Sequence, residues 1–392
     1  MLIMIKYPNK QTTIRMVVMS KVLLLSMVGI FALVCLADDA EAHRKGQFSV
    51  SFDKTDPRGE LSIIYTKRHL LKETNKNPPA YNVADVVFEV VVPESYDAKK
   101  PAPLFVWISP TDSGKAPAPL IDSMARRGVI YIGANNAGNE KNVNLRFRAA
   151  IDAVFNMKKL YSIDENKVII SGSSGGGRCA SMLAITYPDV FTFGGMYCIG
   201  CNFFDDVLDE QRRRYKGFWE KKNTNLLGVA KKHCYAFITG GKDFNKPDTK
   251  RCYDGYKSNG FKNCLYHENP ELDHNMPHVE DIEAAFSFFD EWLFPKLFAD
   301  FKAAERSYKS KQYAAAAKKL ETCREIFPAA EDLWEKLVDV ADAEVEKAES
   351  RSAATPAKLN IQLKSIAAKY GPAAKRAREL LEQASEQAKT KQ

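Results

Sequence analysis

The stretch Lys167-Val-Ile-Ile-Ser-Gly-Ser-Ser-Gly-Gly-Gly-Arg178 decides the fold of this chain. Its β-branched run, residues 168–170, favours a buried strand. Glycines follow at once, and the apolar residues after them, 179–185, are typical of the start of a helix. The sequence therefore predicts a strand, a tight glycine turn and a helix in immediate succession.

Within the turn, Gly172-Ser-Ser-Gly-Gly176 matches the pattern G-x-S-x-G. Between a strand and a helix, this pattern is a nucleophile elbow, which presents a serine hydroxyl at the edge of a sheet. The spacing places Ser174, rather than Ser173, at the tip. A glycine–serine turn without chemistry is the alternative, because short patterns recur by chance. A dinucleotide loop fits poorly since Gly175 would lie inside the helix, and Arg178-Cys179 lacks the Lys-Ser/Thr pair of a P-loop.

Strands and helices alternate around this stretch. Apolar strands are predicted at residues 83–93, 104–108, 129–133, 191–199, 236–239 and 265–268, and helices at 120–127, 144–161, 249–260 and 277–294. Such alternation predicts an α/β fold, with a mainly parallel sheet and helices on both faces. The unit is expected to span residues 83–297. Residues 38–82 are predicted to hold a loop and an antiparallel pair of strands, 48–52 and 61–65, joined by a turn at Asp56-Pro-Arg-Gly59.

Two further segments stand apart from the alternation. Residues 202–232 are long for a connection, and their aromatic side chains suit either a cap over the site or ordinary packing.

Beyond residue 298, Ala, Lys, Glu and Gln dominate, and prolines divide the sequence into helical segments. Tyr313-Ala-Ala-Ala-Ala-Lys-Lys-Leu320 is reminiscent of a tetratricopeptide helix, but no 34-residue period repeats. Residues 298–392 are therefore expected to form a helical domain or tail, which offers a surface for a protein partner.

The first 37 residues have the features of a signal peptide. Four basic residues without acids precede an apolar run, residues 22–36, and Ala37 ends a small-residue cleavage pattern. The run is shorter than the about 20 residues of a membrane span. We expect export, periplasmic or extracellular, with cleavage near Ala37; an uncleaved signal that anchors the protein to a membrane is the alternative.

Charge and motifs exclude several functional classes. The net charge is +8, and half of that surplus lies in the export segment. No basic stripe with interleaved aromatic residues is present, so nucleic acid is not an expected partner. The sequence predicts no cofactor and no metal site, since Cys198-Ile-Gly-Cys201 has no second C-x-x-C pair.

A serine nucleophile needs a base to accept its proton and an acid to orient that base. In a sheet of this kind the chain order is serine, acid, histidine. Asp243 follows the predicted strand 236–239, and His274 lies in the loop between the last strand and the last helix of the alternation. The sequence therefore predicts Ser174, Asp243 and His274 as a catalytic triad, with His278 as an alternative base.

Residues 90–294 resemble the polyhydroxybutyrate depolymerase and feruloyl esterase-type family of α/β-hydrolase serine esterases. Besides the elbow, the similar segments are Val92-Pro-Glu-Ser-Tyr96, Tyr161-Ser-Ile-Asp164 and Tyr187-Pro-Asp-Val-Phe191. The resemblance implies hydrolysis of small-molecule or polymer esters through an acyl-enzyme. A peptidase of the same fold, or a non-catalytic binding protein on this scaffold, is the alternative.

One segment departs from the family pattern. The family has His-Gly after the strand before the first helix, where backbone N–H groups help to form the oxyanion hole, whereas this chain has Ser109-Pro110-Thr111. Proline has no N–H to donate. The predicted oxyanion donors are therefore the N–H groups of Gly175 and Thr111. We expect Asn135-Asn136-Ala-Gly-Asn139 to be a polar turn or to bind a polar substrate.

Overall fold

The computed structural model describes residues 44–70, 78, 80–208, 212–219, 221–352 and 355–390. The predicted export segment lies outside these residues. The described chain contains one large sheet, helices on both of its faces, and a set of helices at the C-terminal end.

The large sheet has eight strands in the order β1-β2-β4-β3-β5-β6-β7-β8. The strands are β1 (Gly46–Ser51), β2 (Val87–Val92), β3 (Ala102–Ile108), β4 (Ile130–Ala134), β5 (Ile163–Ser173), β6 (Gly194–Cys198), β7 (Cys234–Gly240) and β8 (Asn263–Asn269). Strand β2 pairs antiparallel with β1 and with β4, and all other pairs are parallel. The predicted mainly parallel sheet is confirmed.

The helices of the sheet-containing part are α1 (Leu61–Thr66), α2 (Ala118–Arg126), α3 (Val143–Leu160), α4 (Gly175–Thr186), α5 (Thr224–Ala230), α6 (Lys246–Ser258) and α7 (Val279–Leu293). Successive side chains of a strand point to opposite faces of a sheet. Leu104 and Val106 of β3 accordingly join the core formed with α3 and α4, whereas Phe105 and Trp107 join the core formed with α2 and α7. Both faces of the sheet are therefore covered by helices, as the near-continuous apolar strands require.

The prediction for the N-terminal segment was wrong in part. Residues 61–65 are not the second strand of a hairpin; they belong to helix α1, which follows a short 3-10 turn at Pro57–Gly59. Strand β1 pairs instead with β2, with Phe48 opposite Val90. The reason is tertiary: β1 completes the edge of the large sheet, so the sheet begins before residue 83, and Ile64 is left to pack on the core as part of a helix.

The long connection after β6 holds a two-residue ribbon, Val207–Leu208 with Arg214–Tyr215, and helix α5. Phe204 and Trp219 are buried in the core beside α6 and do not line the cavity at Ser174. The indole N–H of Trp219 donates a hydrogen bond to the carbonyl oxygen of Arg68 at 2.8 Å. These aromatic residues are therefore packing residues rather than a cap over the site.

Five helices follow the sheet: α8 (Pro295–Lys309), α9 (Tyr313–Leu320), α10 (Pro328–Ser352), α11 (Pro356–Tyr370) and α12 (Lys375–Thr390). They bury a core of their own, which includes Phe301, Leu320, Leu337 and Leu363. Three of the five begin at a proline, because proline is tolerated at a helix start. None of the helices in the described residues is both long and apolar enough to cross a membrane.

Candidate active site

Ser174 occupies a sharp turn between β5 and α4. Its backbone has φ 52° and ψ −119°, a conformation that costs a non-glycine residue about 1–3 kcal/mol and recurs at functional sites. The Ser174 N–H donates to the carbonyl oxygen of Cys198 at 2.9 Å, which ties the turn to β6. A side chain on Gly176 would overlap the carbonyl oxygen of Ile108 on β3. The second glycine of the motif is therefore required for the elbow to sit this close to the sheet.

The loop after β8 brings an imidazole to the serine. His274 Nε2 lies 2.9 Å from Ser174 Oγ, a hydrogen-bonding distance, although 100 residues separate them in sequence. The imidazole is half-buried, so one edge of it faces the cavity in front of Ser174. An imidazole at this distance can take the hydroxyl proton as the oxygen attacks an electrophile.

The loop after β7 supplies the acid. His274 Nδ1 lies 2.7 Å from Asp243 Oδ1, and the Asp243 side chain is fully buried. Two further groups orient this carboxylate: the Thr239 hydroxyl donates to Oδ2 at 3.0 Å, and the Asn245 N–H donates to Oδ1 at 2.9 Å. A carboxylate beside Nδ1 favours the tautomer with its proton on Nδ1, which leaves Nε2 free to accept the proton of Ser174.

The three residues follow three strands of the parallel part of the sheet. The elbow follows the fifth strand of the sheet, the acid the seventh and the histidine the eighth, and the order is serine, acid, histidine along the chain. The fold is that of an α/β-hydrolase. Within this sheet only β2 runs antiparallel to the other strands, and the C-terminal helices follow α7.

No protein-family model and no curated protein sequence matches the chain. Among solved structures, it is similar to Est1E from Butyrivibrio proteoclasticus, with 16% identity, a TM-score of 0.40, and coverage of 54% of this chain and 95% of that one. It is similar to an S-formylglutathione hydrolase from Staphylococcus aureus, with 14% identity, a TM-score of 0.39, and coverage of 64% and 95%. It is also similar to an acylaminoacyl peptidase from Pyrococcus horikoshii, with 16% identity, a TM-score of 0.40, and coverage of 55% of this chain and 40% of that one.

The alternative base, His278, and a nearby acid, Asp248, lie apart from Ser174. His278 immediately precedes α7, where its backbone N–H donates to Asp281 and its Nδ1 lies 3.4 Å from Asn269 Nδ2. Asp248, on α6, accepts hydrogen bonds from Arg178 and Arg251. Burial alone would raise the pKa of Asp248, but the two guanidinium groups hold it below its ordinary value. The structure thus brings His274, and not His278, to Ser174.

The two predicted oxyanion donors differ in their surroundings. Gly175 is the first residue of α4, so its N–H has no acceptor within the helix and lies at the positive end of the helix dipole. The Thr111 N–H, in contrast, donates to the Ser109 hydroxyl at 3.1 Å within a short side-chain turn. In this structure the Ser109 hydroxyl accepts that N–H, and the role of Thr111 as the second donor stays a prediction.

A cavity of about 560 Å³ opens in front of Ser174. It is lined by Trp107, Ser109, Pro110, Thr111, Ser113, Lys115, Pro117, Asn139, Ser173, Ser174, Ile199, His274, Asn275 and Met276. A cavity of this size accommodates a small-molecule group or the end of a polymer. Lys115 is the one permanently charged side chain in this lining, and it is exposed.

Sequence reasoning missed the residues that support the triad. Arg178, on α4, donates to Asn245 Oδ1 at 2.9 Å, and Asn245 Nδ2 donates to the carbonyl oxygen of Ile199 at 2.9 Å, so the loop of the acid is tied to the helix of the elbow. The exposed ring of Phe244 lies over His274 with 4.0 Å between ring centroids. The position of Thr239 and Phe244 beside Asp243 was visible in the sequence, but nothing in the pattern distinguished them. No cluster of metal-binding side chains occurs in the described residues.

Proposed function

We propose that this protein is a serine hydrolase that cleaves carboxylic esters through an acyl-enzyme. One observation supports the proposal above the others: Ser174 Oγ, on a strained elbow, contacts His274 Nε2, while the other nitrogen of His274 contacts the buried Asp243. A surface serine has no need of a strained backbone, a histidine and a buried acid in series. An activated serine needs the base and the acid, and a strained backbone is typical of functional sites.

In the proposed reaction, Ser174 Oγ attacks the ester carbonyl carbon, and its proton passes to His274 Nε2. Asp243 stabilises the imidazolium that results, and the Gly175 N–H donates to the oxyanion of the tetrahedral intermediate. The C–O bond then breaks, and His274 returns the proton to the departing alcohol. Water, deprotonated by His274, attacks the acyl group, which releases a carboxylic acid and regenerates the Ser174 hydroxyl.

The cavity supports an ester substrate with an apolar part and a group that interacts favourably with a cation. Trp107, Ile199 and Met276 offer apolar contacts beside Ser174, and Lys115 offers a positive charge. No ion-pair partner is found for Lys115 within the described residues. A carboxylate-bearing ester is therefore expected to be cleaved faster than its neutral counterpart of equal length.

A fluorophosphonate probe tests the proposal. We expect the wild-type protein to be labelled once per chain, at the peptide that contains Ser174, and Ser174→Ala to remain unlabelled. Ser173→Ala, which changes the neighbouring serine, is the matched control and should keep the label. A p-nitrophenyl ester series that includes a carboxylate-bearing member then identifies the acyl group. Equal labelling of the wild type and Ser174→Ala would refute the proposed function.

One observation favours a second candidate, a binding protein that uses the scaffold without catalysis. The Thr111 N–H is bound to Ser109, so the predicted oxyanion hole lacks a donor. This candidate predicts binding of an ester or acid in the cavity with neither probe labelling nor turnover. Labelling by the probe, combined with turnover of any member of the ester series, excludes it.

We also propose that the protein is exported. The support is in the sequence alone: a basic segment, an apolar run and a small-residue site near Ala37. N-terminal sequencing of the protein recovered from the cells that make it is the test. A mature N-terminus close to Ala37 supports cleavage, and an intact first segment on a membrane-associated protein supports the anchored alternative.

A further inference from the structure

The oxyanion hole of the proposed esterase lacks a second donor among the backbone groups expected to provide it. Pro110 has no N–H, and the Thr111 N–H donates to Ser109 Oγ at 3.1 Å. Further along the loop, the Ser113 N–H lies 3.4 Å from Thr111 Oγ1. Of the two predicted donors, only the Gly175 N–H is therefore without an acceptor, whereas tetrahedral intermediates of acyl transfer are usually stabilised by at least two donors.

A side-chain amide lies beside the first donor, at the cavity in front of Ser174. Asn139 follows β4, and its backbone N–H donates to the carbonyl oxygen of Pro110 at 2.9 Å, which fixes the residue against the oxyanion loop. Its side chain lines the cavity together with Ser174. A side-chain carbon on Gly175 would collide with the Asn139 amide, since it would lie 2.1 Å from Oδ1 and 3.0 Å from Nδ2. The amide is therefore in contact with the residue whose N–H is the first donor.

The Asn139 amide is also free to donate. Within the described residues it makes no hydrogen bond to the protein, whereas Asn275, the other amide that lines the cavity, donates to Asp273. An asparagine amide carries two N–H donors and rotates about its Cβ–Cγ bond, so it can turn an N–H toward the cavity. Position 175 is variable in the G-x-S-x-G pattern, and the glycine here leaves room for this amide, which a side-chain carbon would displace.

We infer that Asn139 is a catalytic residue of the proposed esterase and that its Nδ2 donates the second hydrogen bond to the oxyanion. This inference rests on the proposed function. The Asn139 side chain, from the neighbouring loop, would then take the place of a backbone donor in the oxyanion loop. A group of this kind acts on the transition state, so its loss lowers kcat and leaves KM largely unchanged.

The test compares Asn139→Ala, Asn139→Asp and, as a control in the same loop, the exposed Glu140→Gln, all in the full chain. Removing one oxyanion donor lowers kcat about 10²–10³-fold, so we expect that loss in Asn139→Ala for the best p-nitrophenyl ester. Asn139→Asp keeps the size of the side chain but places a carboxylate at the oxyanion, so its loss should be at least as large. Glu140→Gln should keep wild-type kcat.

A trifluoromethyl ketone inhibitor separates a catalytic role from a structural one. Its hemiketal oxyanion occupies the same hole, so its Ki should rise in each variant by the factor by which kcat/KM falls. Unchanged kcat in both Asn139 variants, or a change confined to KM, overturns the inference while the probe labelling of Ser174 still stands. A wild-type protein that neither labels nor turns over ester overturns the proposed function and this inference together.

Discussion

Asp152, buried in helix α3, is expected to make the stability of the protein depend on pH. Its Oδ1 accepts the Asp56 N–H at 2.6 Å, and its Oδ2 accepts the Tyr81 hydroxyl at 2.7 Å, so it ties the N-terminal segment to the sheet-containing part. Burial raises the pKa of Asp152 to about 6, against the opposing effect of these two donors and of Arg148. The folded protein therefore holds this proton more tightly than the unfolded chain does.

The sign and the size of the pH dependence follow from the difference between the pKa values of Asp152 in the folded and unfolded chain. Protonation favours the folded state, so the contribution of Asp152 to stability is complete below the unfolded pKa of about 4 and is lost as the pH rises through about 6. Each unit of pKa difference corresponds to about 1.4 kcal/mol, which gives about 3 kcal/mol in all. Between pH 4 and pH 7 about 2 kcal/mol of it is lost, because the unfolded carboxyl is already half-ionised at pH 4.

Urea denaturation of Asp152→Asn measures this loss. The amide does not titrate, so the free energy of unfolding of the variant minus that of the wild type should rise by about 2 kcal/mol from pH 4 to pH 7. Asp53→Asn, which changes a carboxylate that is 78% exposed, should show no such change. A difference between Asp152→Asn and the wild type that stays constant over this pH range would refute the reasoning.

Three further substitutions are expected to separate stability from activity. Arg127→Met leaves two buried or half-buried carboxylates on α7 without their cation and should lower the free energy of unfolding by about 3–5 kcal/mol in urea denaturation; a loss below about 1 kcal/mol contradicts this. Gly176→Ala should reduce fluorophosphonate labelling at least about 10-fold, since a methyl group there overlaps a carbonyl oxygen of β3, whereas Gly228→Ala, with open space around it, should label normally. Phe244→Ala removes a ring, 73% exposed, that lies over His274. We expect kcat/KM to fall roughly 2–10-fold with an unchanged melting temperature. A lower melting temperature without loss of activity would contradict this.

The elbow and the alternation of strands and helices could be predicted because both are local properties of the sequence. Glycines on both sides of Ser174 mark a turn that other residues cannot form, and apolar runs separated by helical periodicity define the parallel sheet. Asp243 and His274 could be predicted for a related reason. In a parallel sheet the carboxyl ends of the strands lie at one edge, so the loops after β7 and β8 both approach the elbow.

The error at residues 61–65 shows where local reasoning fails. The run Leu-Ser-Ile-Ile-Tyr is short and apolar, and such runs form strands or buried helical turns with similar ease. Tertiary contacts decided the outcome: β1 pairs with β2, about 40 residues along the chain, and residues 61–65 pack on the core as part of helix α1. The local sequence pattern contains no information about the pairing of β1 with β2.

The arrangement on the oxyanion side of the site could not be predicted from the sequence, for a different reason. It is assembled from two loops whose contacts join side chains to backbone groups: Asp112 accepts the Gly138 N–H at 3.0 Å, and Arg146 donates to the carbonyl oxygen of Ser109 at 2.9 Å. None of these contacts follows from periodicity or motif spacing. Because the loops are fixed to each other, a substitution in either can shift the Asn139 amide without disturbing the contact between Ser174 and His274. In the proposed esterase, substitutions at residues 109–114 and 135–139 are therefore expected to lower turnover while Ser174 keeps its contact with His274, and we expect these loops, rather than the triad, to set the substrate preference.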